Sequence, residues 1–375
     1  MQPDVIVIGA GIVGAACAHA LAQAGQRVLV LDAQLGGATG AGMGHLVVMD
    51  DNPAELALSR HSLDLWRSLV PRLAADCAYS ACGTLWVAAD DAEMAAAEEK
   101  GQRLRTQGVD CRLLNAAQLA AAEPALRAGL SGALEVMGDA IVYAPNAARW
   151  FLHDAAQGGG HITVAQAEVV AIEPGHVRLA DGSQRHAPQI LLANGIHATR
   201  LCPELPIRPK KGHLLITDRY PGTVHHQLVE LGYITSAHHA EGPSVAFNLQ
   251  PRPTGQMLIG SSRQFDTTDL AVEPDMVAQM LQRALHYMPA LGELNAIRSW
   301  TGLRAATPDS LPLLGRHPWR EGLWLAVGHE GLGVTTATGT AHLLAALMTG
   351  GAPAFAPAPY AVQRFAATSS ETTPA

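Results

Sequence analysis

VIVIGAGIVGAACAHALAQAGQRVLVLDA, residues 5–33, decides the fold. The four β-branched residues 5–8 carry no polar side chain, which predicts a strand buried on both faces. Gly9, Gly11 and Gly14 follow at G-x-G-x-x-G spacing, and an alanine-rich helix runs on to about residue 24. Gly25 ends that helix, residues 27–31 form a second apolar run, and Asp32 closes it ahead of Ala33. Each part has a physical task. Gly9 permits a tight strand-to-helix turn, Gly11 lets the backbone approach a pyrophosphate, and Gly14 lets the helix pack closely on its strand. The first helical residues, Ile12 and Val13, bring unpaired N–H groups and the positive end of the helix dipole to the phosphates. Asp32 is placed to accept hydrogen bonds from a ribose. Strand, glycines, helix, strand and terminal acid together point to an FAD or NAD site.

Residues 5–22 contain no Asp, Glu, Lys or Arg, so a signal peptide or spanning helix must be weighed. No basic segment precedes the run, Asp4 stands where Lys or Arg is expected, and three glycines weaken a spanning helix. The expectation is a cytoplasmic protein, associated with a membrane only peripherally through an electron acceptor.

At 375 residues the chain is long for one core, which predicts two joined domains. A net charge of −8 without any Lys/Arg run argues against nucleic acid and anionic lipid as partners. Five scattered cysteines lack C-x-x-C spacing, which suits reduced thiols. The seventeen histidines show no H-E-x-x-H, and the adjacent pairs 225–226 and 238–239 point apart, so no metal site is expected.

Further along, 53–73, 91–107, 116–122 and 276–288 have helical patterns, as does a segment beginning at 146. Residues 83–88, 189–193 and 322–327 read as strands. So do 162–172 with 177–179, taken as a pair around Pro174-Gly175. Short strands between 207 and 260 suggest an antiparallel sheet over a pocket. A second glycine loop, 328–333, leads into a helix over 334–348. The expected architecture is α/β: a Rossmann-like domain for the dinucleotide, FAD or NAD, from 1–80, 140–205 and 300–365, and a discontinuous antiparallel-sheet substrate domain from 81–139 and 206–299. Residues 366–375 are expected to form a disordered tail.

WTGLRAATPDSLPLLG (300–315) and GLWLAVGHEGLGVTTATGTAHLLAALMTG (322–350) resemble the C-terminal signature of the FAD-dependent D-amino-acid oxidase superfamily. That group includes glycine and sarcosine oxidases and D-amino-acid dehydrogenases. GATGAGMGHL, GTLWVA, LNAAQLAAAEPAL, LLANGI, IRPKKGHLL and PYAVQRF agree with it in order, so the resemblance covers nearly the whole chain. GATGAGMGHLVVMDD further resembles the branch holding D-hydroxyproline dehydrogenases and related hydrogen cyanide synthase and opine oxidase subunits. Independently of family, a glycine loop opening a helix at Gly331, Leu332, Gly333 and Val334 supplies positive potential, which a reduced flavin needs at its N1–C2=O edge.

The resemblance implies further contacts with FAD from Thr39, Gly40, Ala41, Gly44, His45, Leu46, Val169, Ala193, Gly195, Gly328 and Thr335. His45 aligns beside the isoalloxazine as a packing or hydrogen-bonding residue. Some relatives carry a flavin-linking Cys before the TPD motif; TGLRAATPD has none, so the FAD is expected to be noncovalent. Asp32 replaces the Glu usual in the group and keeps the carboxylate.

For catalysis the resemblance singles out Arg304, whose planar guanidinium can hold an amino-acid carboxylate in a bidentate pair. Tyr233 is a candidate for substrate contact, with packing as the equal alternative. Lys211 and His213 read as a solvated charge and a strand histidine. The expected reaction is oxidation of a small or cyclic D-amino acid, cis-4-hydroxy-D-proline or D-proline first, to the imine by hydride transfer from Cα to flavin N5. The alternatives are glycine or sarcosine oxidation, and a flavin-holding subunit of a multi-subunit amine dehydrogenase. The electron acceptor, whether oxygen, quinone or an electron-transfer protein, is left open, as is a homo- or hetero-oligomeric state.

Overall fold

The computed structural model describes residues 2–232 and 242–365. Tyr233, the 238–239 histidine pair and the expected tail at 366–375 lie outside the described residues.

The opening segment folds as β1 (Val5–Ile8), α1 (Ile12–Gln23) and β2 (Val28–Asp32). β1 is central in a six-stranded sheet ordered β18-β19-β12-β1-β2-β8, with β8 at Ile162–Gln166, β12 at Gln189–Leu192, β18 at Leu313–Arg316 and β19 at Leu323–Val327. All pairs in it are parallel except β18–β19. The β-branched run is explained by burial on both faces. Val5 and Val7 pack into the core beneath α1, while Ile6 and Ile8 face Val177 and Leu179 on the other side. Each such side chain contributes roughly 1.5–3 kcal/mol relative to exposure. α1 lies against α6 (Ala144–Gln157) and α9 (Gly333–Thr349), and α9 also packs on α3 (Pro53–Leu69). α3 stops at Leu69, short of the expected 73, and passes into a 3-10 turn at Val70–Arg72, because Pro71 has no N–H to continue the helix.

An eight-stranded sheet forms the second layer, ordered β17-β13-β16-β15-β14-β4-β6-β5. Its strands are β4 (Thr84–Ala88), β5 (Cys111–Asn115), β6 (Gly132–Val136), β13 (Arg208–Thr217), β14 (Gln227–Glu230), β15 (Ser244–Pro251), β16 (Met257–Phe265) and β17 (Ala296–Ala306). One face carries α8 (Pro274–Tyr287), where Tyr287 stacks on Phe247 at 4.8 Å between ring centroids. Such a pair contributes about 0.5–1.5 kcal/mol beyond its buried area. The remaining helices α2 (Ala38–Ala41), α4 (Asp91–Thr106), α5 (Ala116–Ala122) and α7 (Ala198–Leu201) complete the layers. A small ribbon pairs β3 (His45–Leu46) with β7 (Ala140–Ile141).

Three expectations are corrected. Residues 162–172 are not one strand. β8 pairs with β2 in the large parallel sheet, and a break at Ala167-Glu168 sends β9 (Val169–Glu173) into a separate sheet with β10 (His176–Leu179) and β11 (Gln184–His186). The eight-stranded sheet is mixed, since β14 runs parallel to β4. The two strands come from separate visits of the chain, so no hairpin forces them antiparallel. Finally, a boundary at 300 would cut β17, which pairs with β13 from Arg208–Ala306 to Thr217–Ala296. Arg304 therefore stands on the eight-stranded sheet.

Candidate active site

A cavity of about 550 Å³ lies where the two layers meet. One wall is the turn at the end of β1. Gly9 has φ +107°, and a Cβ there would stand 2.6 Å from the Ala193 carbonyl oxygen. Gly11 caps α1, and the Ile12 N–H donates to Thr39 Oγ1 at 2.9 Å. Asp32 closes the wall from β2: its carboxylate accepts the Ala10 N–H at 2.6 Å and the Gln34 N–H at 2.7 Å. Ala33, Val169, Ala193 and Gly195 continue the lining.

The second glycine loop faces the same space. Gly328, Gly331, Leu332, Gly333 and Val334 line it, and α9 begins at Gly333, where the first N–H groups of a helix have no partner within it. A Cβ on Gly333 would meet the Val13 side chain at 3.8 Å, so two helix N-termini sit side by side on one cavity. Two such ends, a closing carboxylate and glycine turns without room for a Cβ fit a pyrophosphate-bearing dinucleotide.

The expected cofactor residues Gly9, Gly11, Ile12, Val13, Asp32, Ala33, Thr39, Ala41, Gly44 and His45 all line the cavity. Four others do not. A Cβ on Gly14 would lie 2.0 Å from the Gly9 carbonyl oxygen, so this glycine serves helix-to-turn packing. Gly40 is exposed on the outer side of α2. Leu46 is fully buried in the core, away from the cavity. Thr335 Oγ1 donates to the His45 carbonyl at 3.0 Å and accepts the Val47 N–H at 3.2 Å, so it joins α9 to β3 behind the wall.

His45 lines the cavity, with Nδ1 hydrogen-bonded to Gln227 Oε1 and 3.2 Å from Gln250 Nε2. Gln227 Nε2 donates to the Ala140 carbonyl at 3.0 Å, which orients the amide so that its oxygen faces the ring. Burial pushes the His45 imidazole down to about 4, so it is neutral near pH 7.

The opposite wall is the open face of the eight-stranded sheet. Lys210, Gly212 and Leu214 on β13 face Arg304, Gly302 and Trp300 on β17 in register. Arg304 is half-buried on the cavity wall, and its Nη1 donates to the Ser262 carbonyl at 3.1 Å. Strand alternation turns Lys211 and His213 away: Lys211 pairs with Glu273 at 2.7 Å, and His213 Nδ1 lies 2.9 Å from Ser262 Oγ. Neither lines the cavity.

Several cavity residues escaped the sequence reading. Lys210 forms an ion pair with Glu330 of the glycine loop. Burial alone would raise the Glu330 carboxyl, but Lys210, Arg263 and Arg304 overcome this and hold it below the usual carboxylate range. Glu55, in the first turn of α3, lines the cavity with 6% of its surface exposed. Burial, and then the neighbouring Asp51 charge, push its carboxyl up to about 8. Period-two alternation was the available signal for Lys210; Glu55 reads in sequence only as a helix-start acid.

Elsewhere, Cys202, Glu204 and His317 bring potential ligand atoms within 4.8 Å of one another. Arg320 holds both Glu204 oxygens, at 2.8 and 3.1 Å, which makes this an ion-paired cluster and a poor metal site. Among the described residues no helix is long and apolar enough to cross a membrane.

Comparison with known proteins agrees with this geometry. Residues 4–347 match the DAO family, described as FAD dependent oxidoreductase. The chain is 28% identical over 386 residues to a glycine oxidase of Pseudomonas aeruginosa, covering 96% of this chain and 99% of that protein. It is 27% identical over 393 residues to the hydrogen cyanide synthase subunit HcnC of the same species, covering 91% of each. The solved glycine oxidase of Geobacillus kaustophilus matches with a TM-score of 0.86 at 26% identity, over 97% of this chain and 99% of that one. The chain therefore belongs to the DAO family of FAD-dependent oxidoreductases.

Proposed function

We propose that the protein oxidises a small or cyclic D-amino acid to its imine, with cis-4-hydroxy-D-proline and D-proline as first substrates and noncovalent FAD as cofactor. The observation that carries this reading is Arg304 on the cavity wall beneath the second glycine loop, where a Cβ on Gly331 would lie 3.8 Å from the Arg304 Cδ and Nε. A guanidinium so placed can take the substrate carboxylate in a two-point pair and aim the Cα–H inward. Val47, Met49, Trp86 and Val229 line the same cavity and offer apolar surface to a compact carbon skeleton. Bound FAD supplies the two-electron acceptor. Arg304 and the apolar walls bind and orient, and the removal of water favours the neutral amine from which hydride can leave. His45, with a conjugate acid at about 4, is too weak a base to deprotonate an ammonium. None of the five cysteines lines the cavity, which supports a noncovalent cofactor.

Similarity to the HcnC subunit favours one second reading, a flavin-holding subunit that needs a partner for turnover. Anaerobic flavin bleaching tests both. The prolines should reduce the flavin of the isolated chain faster than glycine or sarcosine. Clear preference for glycine or sarcosine would move the assignment to the achiral substrates, and bleaching without steady-state turnover on any small acceptor would favour the subunit.

A further inference from the structure

Lys210–Arg304, Gly212–Gly302 and Leu214–Trp300 are successive facing pairs between β13 and β17. The middle rung consists of two glycines, and both line the cavity. Neither has a backbone conformation that requires glycine, since both are absent from the positive-φ positions. Glycine weakens a strand interior, so its presence in both members of a rung calls for a close approach from outside the strand.

Each glycine is approached by a different part of the site. A Cβ on Gly212 would lie 2.6, 2.7 and 2.8 Å from Arg304 Nη1, Nη2 and Cζ, so the guanidinium rests directly over this residue. The β13–β16 pairing shifts register between Lys211 and Leu215, and in this stretch the Ser262 carbonyl receives Nη1. A Cβ on Gly302 would lie 2.4 Å from the Ala41 Cβ. Ala41 ends α2, on the cofactor side, and its carbonyl accepts the Trp300 Nε1–H at 3.0 Å from the next rung.

We propose that the Gly212–Gly302 rung positions the two halves of the site: Gly212 sets where Arg304 presents its guanidinium, and Gly302 sets how closely the Thr39–Ala41 side of the cofactor site lies on the sheet. The Gly212 half rests on the reading of Arg304 as the carboxylate anchor. The consequences of filling each space differ. The Gly212 space is bounded by the far end of a flexible side chain, so Gly212→Ala leaves the fold intact and moves the guanidinium. The Gly302 space is bounded by a Cβ, so Gly302→Ala must move the α2 backbone.

The test is a double dissociation. Displacing a binding group by about 1 Å can cost about a hundredfold, so Gly212→Ala should raise KM for the amino acid roughly 10- to 100-fold. The decarboxylated amine and the FAD dissociation constant should stay within about twofold of the parent. Gly302→Ala should weaken FAD at least about tenfold and, at saturating FAD, leave KM within about threefold. Gly302→Ala combined with Ala41→Gly should restore FAD binding, which keeps this arm decisive if the single variant folds poorly. Gly212→Ala with a parental KM overturns the proposal when Arg304→Ala is selectively impaired toward the acid. If Arg304→Ala impairs acid and amine alike, the anchor reading fails instead. A crystal structure of Gly212→Ala then decides the seat, and an unmoved guanidinium refutes it. Equal effects of both glycine variants on KM and FAD affinity also refute it.

Discussion

Replacing Asp32 with alanine separates the role the structure shows for its carboxylate, bracing the glycine turn, from the one proposed for it, holding a ribose. Oδ2 accepts the Ala10 N–H at 2.6 Å and Oδ1 the Gln34 N–H at 2.7 Å, and both bonds belong to the protein alone. Hydrogen bonds to a charged group contribute about 1.5–3 kcal/mol each. Gln34 is exposed and water can replace its bond, whereas Ala10 is half-buried in the glycine turn. The apoprotein should therefore lose about 1.5–3 kcal/mol of stability, nearly all of it from the Ala10 bond. The carboxylate's remaining lone pairs face the cavity and can accept a ribose hydroxyl. At about 1.36 kcal/mol per decade, one such bond corresponds to roughly a 10- to 150-fold weaker FAD affinity. Scanning calorimetry of apoprotein measures the first effect, and titration of apoprotein with FAD, followed by fluorescence quenching, measures the second. Asp32→Asn keeps one acceptor oxygen and should fall between. If Asp32→Ala melts lower but binds FAD within twofold of the parent, the residue only braces the turn and the ribose contact is wrong.

Three further outcomes are expected. Truncating one partner of a buried charge pair costs about 2–5 kcal/mol, so Arg304→Ala should lower kcat/KM for the amino acid roughly 30- to 5,000-fold with FAD retained, and Arg304→Lys should rescue only part. Steady-state kinetics on the acid and its decarboxylated amine check this, because the amine never used the anchor. Acid precipitation should release all the flavin, and fluorescence remaining on the polypeptide in a denaturing gel would contradict noncovalent binding. The Glu55 carboxyl is raised to about 8 in the fold, so the folded state keeps a proton that the unfolded chain releases above about 4.5. Its contribution is full below about 4.5 and is lost as pH rises through about 8. Glu55→Gln should therefore gain stability relative to the parent with increasing pH over that window, and parallel denaturation midpoints would refute the assignment.

The cofactor wall was legible in sequence because its constraints are local. Gly9, Gly11, Gly14 and Asp32 are forced by the backbone of one strand–turn–helix–strand unit, and the spacing carries the geometry with it. The substrate wall was not, because it is made by register between strands far apart in the chain. In IRPKKGHLL, alternation says that Lys210 and Lys211 face opposite sides, but only pairing with β17 decides which of them meets the cavity. Arg304 was singled out through resemblance and lines the cavity, while the boundary at 300 cuts a strand because nothing inside WTGLRAA marks one that runs on from Ala296. Glu55 escaped for a related reason. Its N–H is bonded by Asn52 Oδ1 at 2.9 Å, so it reads as an ordinary residue of a capped first turn, and only packing from other elements buries it. Gly212 is the sharpest case. Its φ suits any residue, so a local reading gives glycine there no purpose. The purpose is the guanidinium of Arg304, ninety-two positions away in sequence and directly above it in the fold. Where an extended strand carries a glycine that its own backbone does not need, the reason should be sought across the sheet, in whatever comes to rest on it.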